Sequence, residues 1–446
     1  MTNLIIFLVG LAIMLLMMMK TKLGPFVCML LASLGIGMAC GLGTADTIDT
    51  IVTGFSGTCK SIGLLVIFGT ILGIYLEKSN ACQRIAATLL KITGKKNSGL
   101  ALALTGYVVA IPVFCDVAMV LLAPLIKSVA KKSGKNPYAL GTITACSLLS
   151  TNAFVAPTPA PLAIIAVLGL EIGTSIAWGL GVGLFITLCV WAFGEFYLGR
   201  KPDSWFTPLE GQLTTDAPEE AAIEESAMPP FGAAILPILL PILLILMSSI
   251  GGQLLPEASS ALAVLNFVGD KNIALALGIV AAVLCLARYL PEKERFMPMT
   301  DALKISGPIV FITAAGGALA RIVSTTGVGE TIADLLVASP IPVIFSPFLI
   351  TGFSKFAQGS ASVAGLLAAG LSLPLCQAGL LTPLEAFLSI SAGSSLGSHV
   401  NNSFTWVYSE FMGCDLKTTL KTLCVSQNVV MSLAGLAATL VISLIV

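Results

Sequence analysis

The chain has 446 residues, of which 56% are hydrophobic and only 10% charged, and its mean hydropathy is +0.98. Soluble domains carry about 25% charged residues, so this composition excludes an ordinary globular protein. Its 23 basic and 23 acidic side chains cancel, which leaves no basic footprint for nucleic acid.

Apolar runs at Leu4–Met19, Ile62–Leu76, Ile176–Phe193, Phe231–Met247, Ile273–Leu286 and Val425–Val446 approach or reach the about 17–25 residues that cross a bilayer. The fold class expected is therefore an all-α polytopic membrane protein. The first run has no basic stretch before it and no small-residue cleavage site after it, so it reads as a retained helix. With the N-terminus outside, it ends inside at Lys20 and Lys22. A second helix returns to an outer loop carrying Asp46 and Asp49. A third ends inside at Lys78 and leads into an amphipathic segment with Arg84, Lys91, Lys95 and Lys96. Gly99–Leu125 follows and holds Ile111-Pro-Val-Phe-Cys-Asp116. Lys127, Lys131, Lys132 and Lys135 flank its far end, so both ends face the cytoplasm and a re-entrant hairpin is expected over about 99–128. A broken helix over about 139–172 then crosses outward, and Ile176–Tyr197 returns to Arg200 and Lys201. Residues 199–229 are acidic and contain prolines, and they read as a cytoplasmic linker.

The second half repeats this order with the opposite sense. Phe231–Ile250 goes out, Ile273–Leu290 returns, and a third helix goes out from about Ile305. An amphipathic segment, Gly327–Leu336, precedes a hairpin over about 341–373. A broken helix over about 383–413 crosses inward to Lys417 and Lys421, and a last helix carries the C-terminus outward. In this arrangement every basic residue except Lys60, Lys271, Arg321 and the intramembrane Lys355 lies inside, as the positive-inside rule requires. Residues 1–198 and 230–446 then form an inverted-topology repeat with two re-entrant hairpins and two broken helices, a plan typical of secondary transporters.

Two polar stretches interrupt the oily sequence. They are Ser147-Leu-Leu-Ser-Thr-Asn-Ala-Phe-Val-Ala-Pro-Thr-Pro-Ala-Pro161 and Ser391-Ala-Gly-Ser-Ser-Leu-Gly-Ser-His-Val-Asn-Asn-Ser403. A lipid-facing helix cannot carry so many hydroxyls and amides, because each unpaired polar group in hydrocarbon costs several kcal/mol. Two such stretches at matching places point to a substrate site built from broken helices.

Four stretches carry a resemblance to the gluconate permease family of sugar-acid transporters. These are Ile111-Pro-Val-Phe-Cys-Asp-Val-Ala-Met-Val-Leu-Leu-Ala-Pro124, Val155-Ala-Pro-Thr-Pro-Ala-Pro161, Ala357-Gln-Gly-Ser-Ala-Ser-Val-Ala364 and Ser398-His-Val-Asn-Asn-Ser403. The resemblance implies an inner-membrane importer of gluconate or a related small hydroxy-carboxylate, coupled to protons. It also implies kinship with a wider ion transporter superfamily, whose members often work as dimeric elevators. The chain departs from the family pattern at three places. Asp116 stands where Glu is common, Asn152 and Thr158 stand where histidines are common, and Lys355 stands where Arg is more frequent.

Asp116 reads either as the proton-coupling carboxylate or as a cap on a hairpin helix. His399, the only histidine, reads as a substrate or proton contact or as a structural histidine. Lys355 is placed to meet a carboxylate, to snorkel, or to pair with Asp116. Ser150, Thr151, Asn152 and Thr158, with Asn401, Asn402 and Ser403, are the candidates for substrate recognition, against hydrogen bonding between helices. Gly359 and Ser360 suit a tight hairpin tip that substrate approaches. No metal or organic cofactor is expected; the coupling ion is a proton, with sodium as the alternative. The partners expected are the carboxylate substrate, the bilayer and a second copy of the chain. A channel and a membrane-embedded enzyme are the other classes, and the sequence has no His-Glu-x-x-His motif and no P-loop to support catalysis or ATP-driven transport. The eleven cysteines form no C-x-x-C pair and read as small core residues.

Overall fold

The computed structural model describes residues 2–21, 23–94, 97–208, 227–256, 259–328, 331, 342–400 and 402–445. Among them there are helices and no strand, with one isolated bridge between Pro208 and Cys414. The first half contains α1 (Thr2–Lys20), α2 (Gly24–Ala39), α3 (Thr44–Lys78), α4 (Ala81–Thr93), α5 (Ser98–Val109), α6 (Cys115–Ser133), α7 (Pro137–Phe154), α8 (Pro159–Leu168) and α9 (Ile172–Phe196). The second contains α10 (Phe231–Leu254), α11 (Ser260–Val268), α12 (Lys271–Leu286), α13 (Met297–Thr325), α14 (Phe345–Gln358), α15 (Ala361–Gln377), α16 (Pro383–Gly393) and α17 (Ser403–Met412). The last helical segment, α18 (Leu416–Ile442), includes wide π-type turns over Leu420–Cys424 and Ser426–Met431.

Seven segments of the described residues are long and apolar enough to cross a membrane. They are Thr44–Lys78, Pro137–Leu168, Ile172–Arg200, Phe231–Gly252, Lys271–Tyr289, Met297–Thr325 and Leu416–Ile442. The longest, α3, has 35 residues. At 1.5 Å per residue it extends about 50 Å, well beyond the about 30 Å hydrocarbon layer. Asp46 and Asp49 therefore belong to its first turns, not to an outer loop as the charge pattern suggested. Likewise α13 begins at Met297 rather than near Ile305, with Pro298 near its start, where a missing N–H costs nothing. Short α11 lies between α10 and α12, where the hydropathy pattern offered only a connection; nine residues are too few to register as a span.

Helices α3 and α13 pack along one another. A Cβ added at Gly54 would lie 2.7 Å from the Gly317 carbonyl oxygen, and one at Gly317 would lie 1.9 Å from Thr58 Oγ1. Backbones this close are the membrane alternative to hydrophobic collapse, because lipid tails compete equally for large apolar side chains. At the same pair, Lys78 of α3 meets Asp301 of α13 at 3.2 Å.

Several helices are too short to cross alone, and they come in pairs. The connection Ala110–Phe114 joins α5 to α6, and Gly359–Ser360 joins α14 to α15. Breaks separate α7 from α8 and α16 from α17. Helix α15 packs on α8, α16 on both α7 and α8, and α17 on α6 and α7. The interrupted elements of the two halves thus pack against one another. The described ends of the linker are held by hydrogen bonds. Thr207 accepts from Asp415 N at 3.0 Å, and Arg84 Nε donates to Pro229 O at 2.7 Å. Residues 209–226 of the linker, and most of the amphipathic segment expected at 327–336, lie outside the described residues.

Candidate functional site

The first break exists because Pro157, Pro159 and Pro161 lack N–H groups and restrict the residues before them. The carbonyls freed by the break need donors. Thr158 Oγ1 supplies one, reaching Val155 O at 2.5 Å and Asn152 O at 3.1 Å. The Ala156–Pro157 bond is cis. Asn152 and the Pro157–Pro159 turn line a cavity with Thr70 of α3 and the 111–114 connection of the first hairpin. That cavity is contracted to about 10 Å³, the room one water molecule needs. A sugar acid does not fit it in this conformation. Pro159 and Pro161 also leave the start of α8 short of donors, so anion binding by its N-terminus is weaker than broken helices usually offer.

Asp116 stands in the first turn of α6, directly after the hairpin connection. It is half-buried, and its Oδ1 has no hydrogen-bond partner among the described residues. Two other candidates from this half face elsewhere. Ser150 Oγ lies 2.8 Å from Thr187 Oγ1 of α9, and Thr151 Oγ1 donates to Tyr107 O of α5 at 2.8 Å. Both hydroxyls are buried in contacts between helices.

In the second half, Gly359 takes φ +82°, the left-handed conformation that lets α14 stop and α15 begin within two residues. Ser360 then caps α15 by accepting from Val363 N at 3.3 Å. One turn before the tip, Lys355 is only 3% exposed. Its Nζ reaches the Ser394 carbonyl oxygen and Ser398 Oγ, each at 2.5 Å, across the second break. It does not snorkel to a polar surface. Lys355 therefore ties α14 to the second break.

His399 is half-buried, with its ring 4.6 Å from that of Phe356 and Nε2 3.0 Å from Phe356 O. A carbonyl oxygen only accepts, so Nε2 carries the hydrogen; in the neutral imidazole Nδ1 is then the acceptor. Asn402 caps α17 by accepting from Phe404 N at 3.2 Å, Ser403 is exposed, and Asn401 lies outside the described residues.

Composition alone did not single out Asn428. Its Oδ1 accepts from Gly397 N at 2.6 Å and Ser398 N at 3.0 Å, and its Nδ2 donates to Ser398 O at 2.7 Å. One side chain thereby replaces the helical bonds lost at the second break. The signal was the amide pair Gln427-Asn428 within an apolar span, where an unpaired amide is expensive.

Comparison with known proteins agrees in coverage and kind. A family model described as GntP family permease matches residues 2–445. An uncharacterized permease of Haemophilus influenzae is 30% identical, with 97% of this chain and 91% of the other covered. The gluconate permease of Bacillus licheniformis is 29% identical, over 99% of this chain and 100% of the other. Among solved structures, the YdaH transporter of Alcanivorax borkumensis superposes with a TM-score of 0.62 at 15% identity, covering 94% of this chain and 98% of the other. At that identity the likeness speaks for the fold alone.

Proposed function

This chain belongs to the GntP family of permeases and is a multi-pass membrane transporter, and we propose that it imports gluconate or a related small hydroxy-carboxylate by proton symport. The observation that carries the reading is the buried Lys355 ammonium held at the second helix break. A buried cation beside a helix break suits an anionic solute, and the amide and hydroxyl groups of the two breaks suit a hydroxylated one. In this reading Asn152, Thr158, His399 Nδ1 and the Asn402–Ser403 turn read the hydroxyls, and Lys355 sets the sign of the field. Ser360 and Gly359 close the site from the hairpin tip. Ser150 and Thr151 position α7 and do not touch the solute.

Asp116 is the coupling group. A carboxylate with an unpartnered buried oxygen is costly when ionised, and protonation or a cation relieves that cost. Residues 1–198 and 230–446 act as inverted repeats, with re-entrant hairpins at α5–α6 and α14–α15. Alternating access is of the elevator type, and the contracted cavity beside Asn152 opens during it. The protein works as a homodimer in the bacterial inner membrane with both termini outside. These last features rest on the family resemblance and the charge map.

The test is uptake of labelled gluconate into inverted or right-side-out vesicles against a panel of sugar acids and dicarboxylates. Accumulation should follow an imposed proton gradient and be competed best by hexonates. Accumulation that survives collapse of the proton gradient and follows sodium instead would overturn the coupling. A panel in which no monocarboxylate competes would overturn the substrate class.

A further inference from the structure

The second break brings two oxygen atoms, Ser394 O and Ser398 Oγ, to one buried amine. The break begins at the C-terminus of α16, where the helix dipole concentrates negative potential; the carbonyls of Ile390 to Gly393 are bonded within the break itself, and that of Ser394 is left to Lys355. Carbonyl oxygens at such half-helix ends are the usual ligands of a coupling cation in transporters with broken helices. Here the Ser394 carbonyl oxygen and Ser398 Oγ are both occupied by one ammonium, that of Lys355. The hydroxyl of Ser391, one turn earlier and fully buried, has no hydrogen-bond partner among the described residues. Asn428 fixes the backbone at Gly397 and Ser398, which holds the Ser398 side chain in place.

We propose that the Lys355 ammonium is a tethered cation, filling a monovalent-cation niche formed by Ser394 O and Ser398 Oγ, and that it makes the transporter insensitive to sodium. The physical basis is equivalence of charge and ligand type. A primary ammonium carries one positive charge and three donors, and it satisfies the oxygens that a hard monovalent ion would otherwise claim. Tethering removes the entropy cost of capturing a free ion, so sodium cannot compete at ordinary concentrations. Lys355 then supplies field to the solute site without itself being released in each cycle, and only the Asp116 proton turns over. The inference rests on the reading of the chain as an ion-coupled permease, but its test needs no substrate.

The experiment compares thermal unfolding of the detergent-purified chain in sodium chloride and in choline chloride at equal ionic strength. Wild type should melt at the same temperature in both. Lys355→Ala and Lys355→Ser should each gain a saturable stabilisation by sodium, absent with choline, and Lys355→Arg should not. Adding Ser398→Ala to Lys355→Ala should weaken that response at least fivefold in apparent affinity. A sodium-specific shift in wild type overturns the proposal. So does a folded Lys355→Ala or Lys355→Ser variant that ignores sodium, or a response unchanged by Ser398→Ala, which would put the ion elsewhere. Should both small variants fail to fold in choline, recovery of folded protein by purification in sodium supports the niche and failure in both salts overturns it.

Discussion

At the scale of single residues, two of the sequence-predicted site residues share a cavity. Asn152 and Thr158 line it together, and Thr158 additionally holds the carbonyls of the break. Replacing Thr158 with Val keeps the shape but removes the donor, leaving Val155 O and Asn152 O short of a partner. Losing such a bond costs about 1–3 kcal/mol, so affinity or stability should fall about 5- to 150-fold, read from uptake KM and from melting together. Asn152→Ala is expected to change the order of competitors in the uptake panel more than it changes the maximal rate. Asp116→Asn should abolish proton-driven accumulation while counterflow exchange of labelled for unlabelled substrate persists. Loss of both processes would argue for a structural carboxyl instead. Asn428→Ala removes one acceptor for two backbone N–H groups, and a marked drop in melting temperature is the expected result.

At the scale of elements, the α3–α13 seam and the N-terminus of α9 are the places where small changes have large effects. Gly317→Leu would drive a side chain into Thr58 and force the two longest helices apart, so folded yield from membranes should collapse. Glu171 caps α9 between two spans. Burial pushes its carboxyl up, but hydrogen bonds from Thr174, from Gly173 N and from Ser249 of α10 outweigh that, and it titrates below the usual carboxylate range. The sign follows from linkage. A folded-state value below the unfolded one gives stability that is present above the unfolded value of about 4.3. That stability is lost as the pH falls through the folded value. The melting temperature of wild type should therefore exceed that of Glu171→Gln at neutral pH, and the gap should close as the pH falls below about 4. A gap that stays constant with pH would show that the cap does not depend on charge.

At the scale of the whole molecule, light scattering should give about twice the 46.0 kDa protein mass in a mild detergent if the homodimer is right. A membrane-impermeant thiol reagent should reach a cysteine added at either terminus from outside in intact cells. Membrane class and the proline-rich interruption between α7 and α8 were legible in the chain, because hydrophobic length and proline chemistry are local quantities, whereas the expected first two crossings are helices too short to count among the seven long apolar spans of the described residues. Short α11 was invisible to that reasoning, and so was the extension of α3 past the bilayer, because neither leaves a distinct mark in hydropathy. The role of each polar residue was not local at all. Ser150 and Thr151 look as suitable for a solute as Asn152, yet Thr187 and Tyr107, distant in sequence, take their hydroxyls. Lys355 had three readings in the sequence. Its contacts with Ser394 and Ser398 arise only because the second hairpin folds against the second break. The sequence by itself determined that polar groups are buried in the membrane, since their number exceeds what lipid tolerates. Tertiary structure alone decided which of them are satisfied by the protein and which are left for a solute or an ion, since a hydrogen bond depends on ångström-scale approach between segments the chain order does not relate.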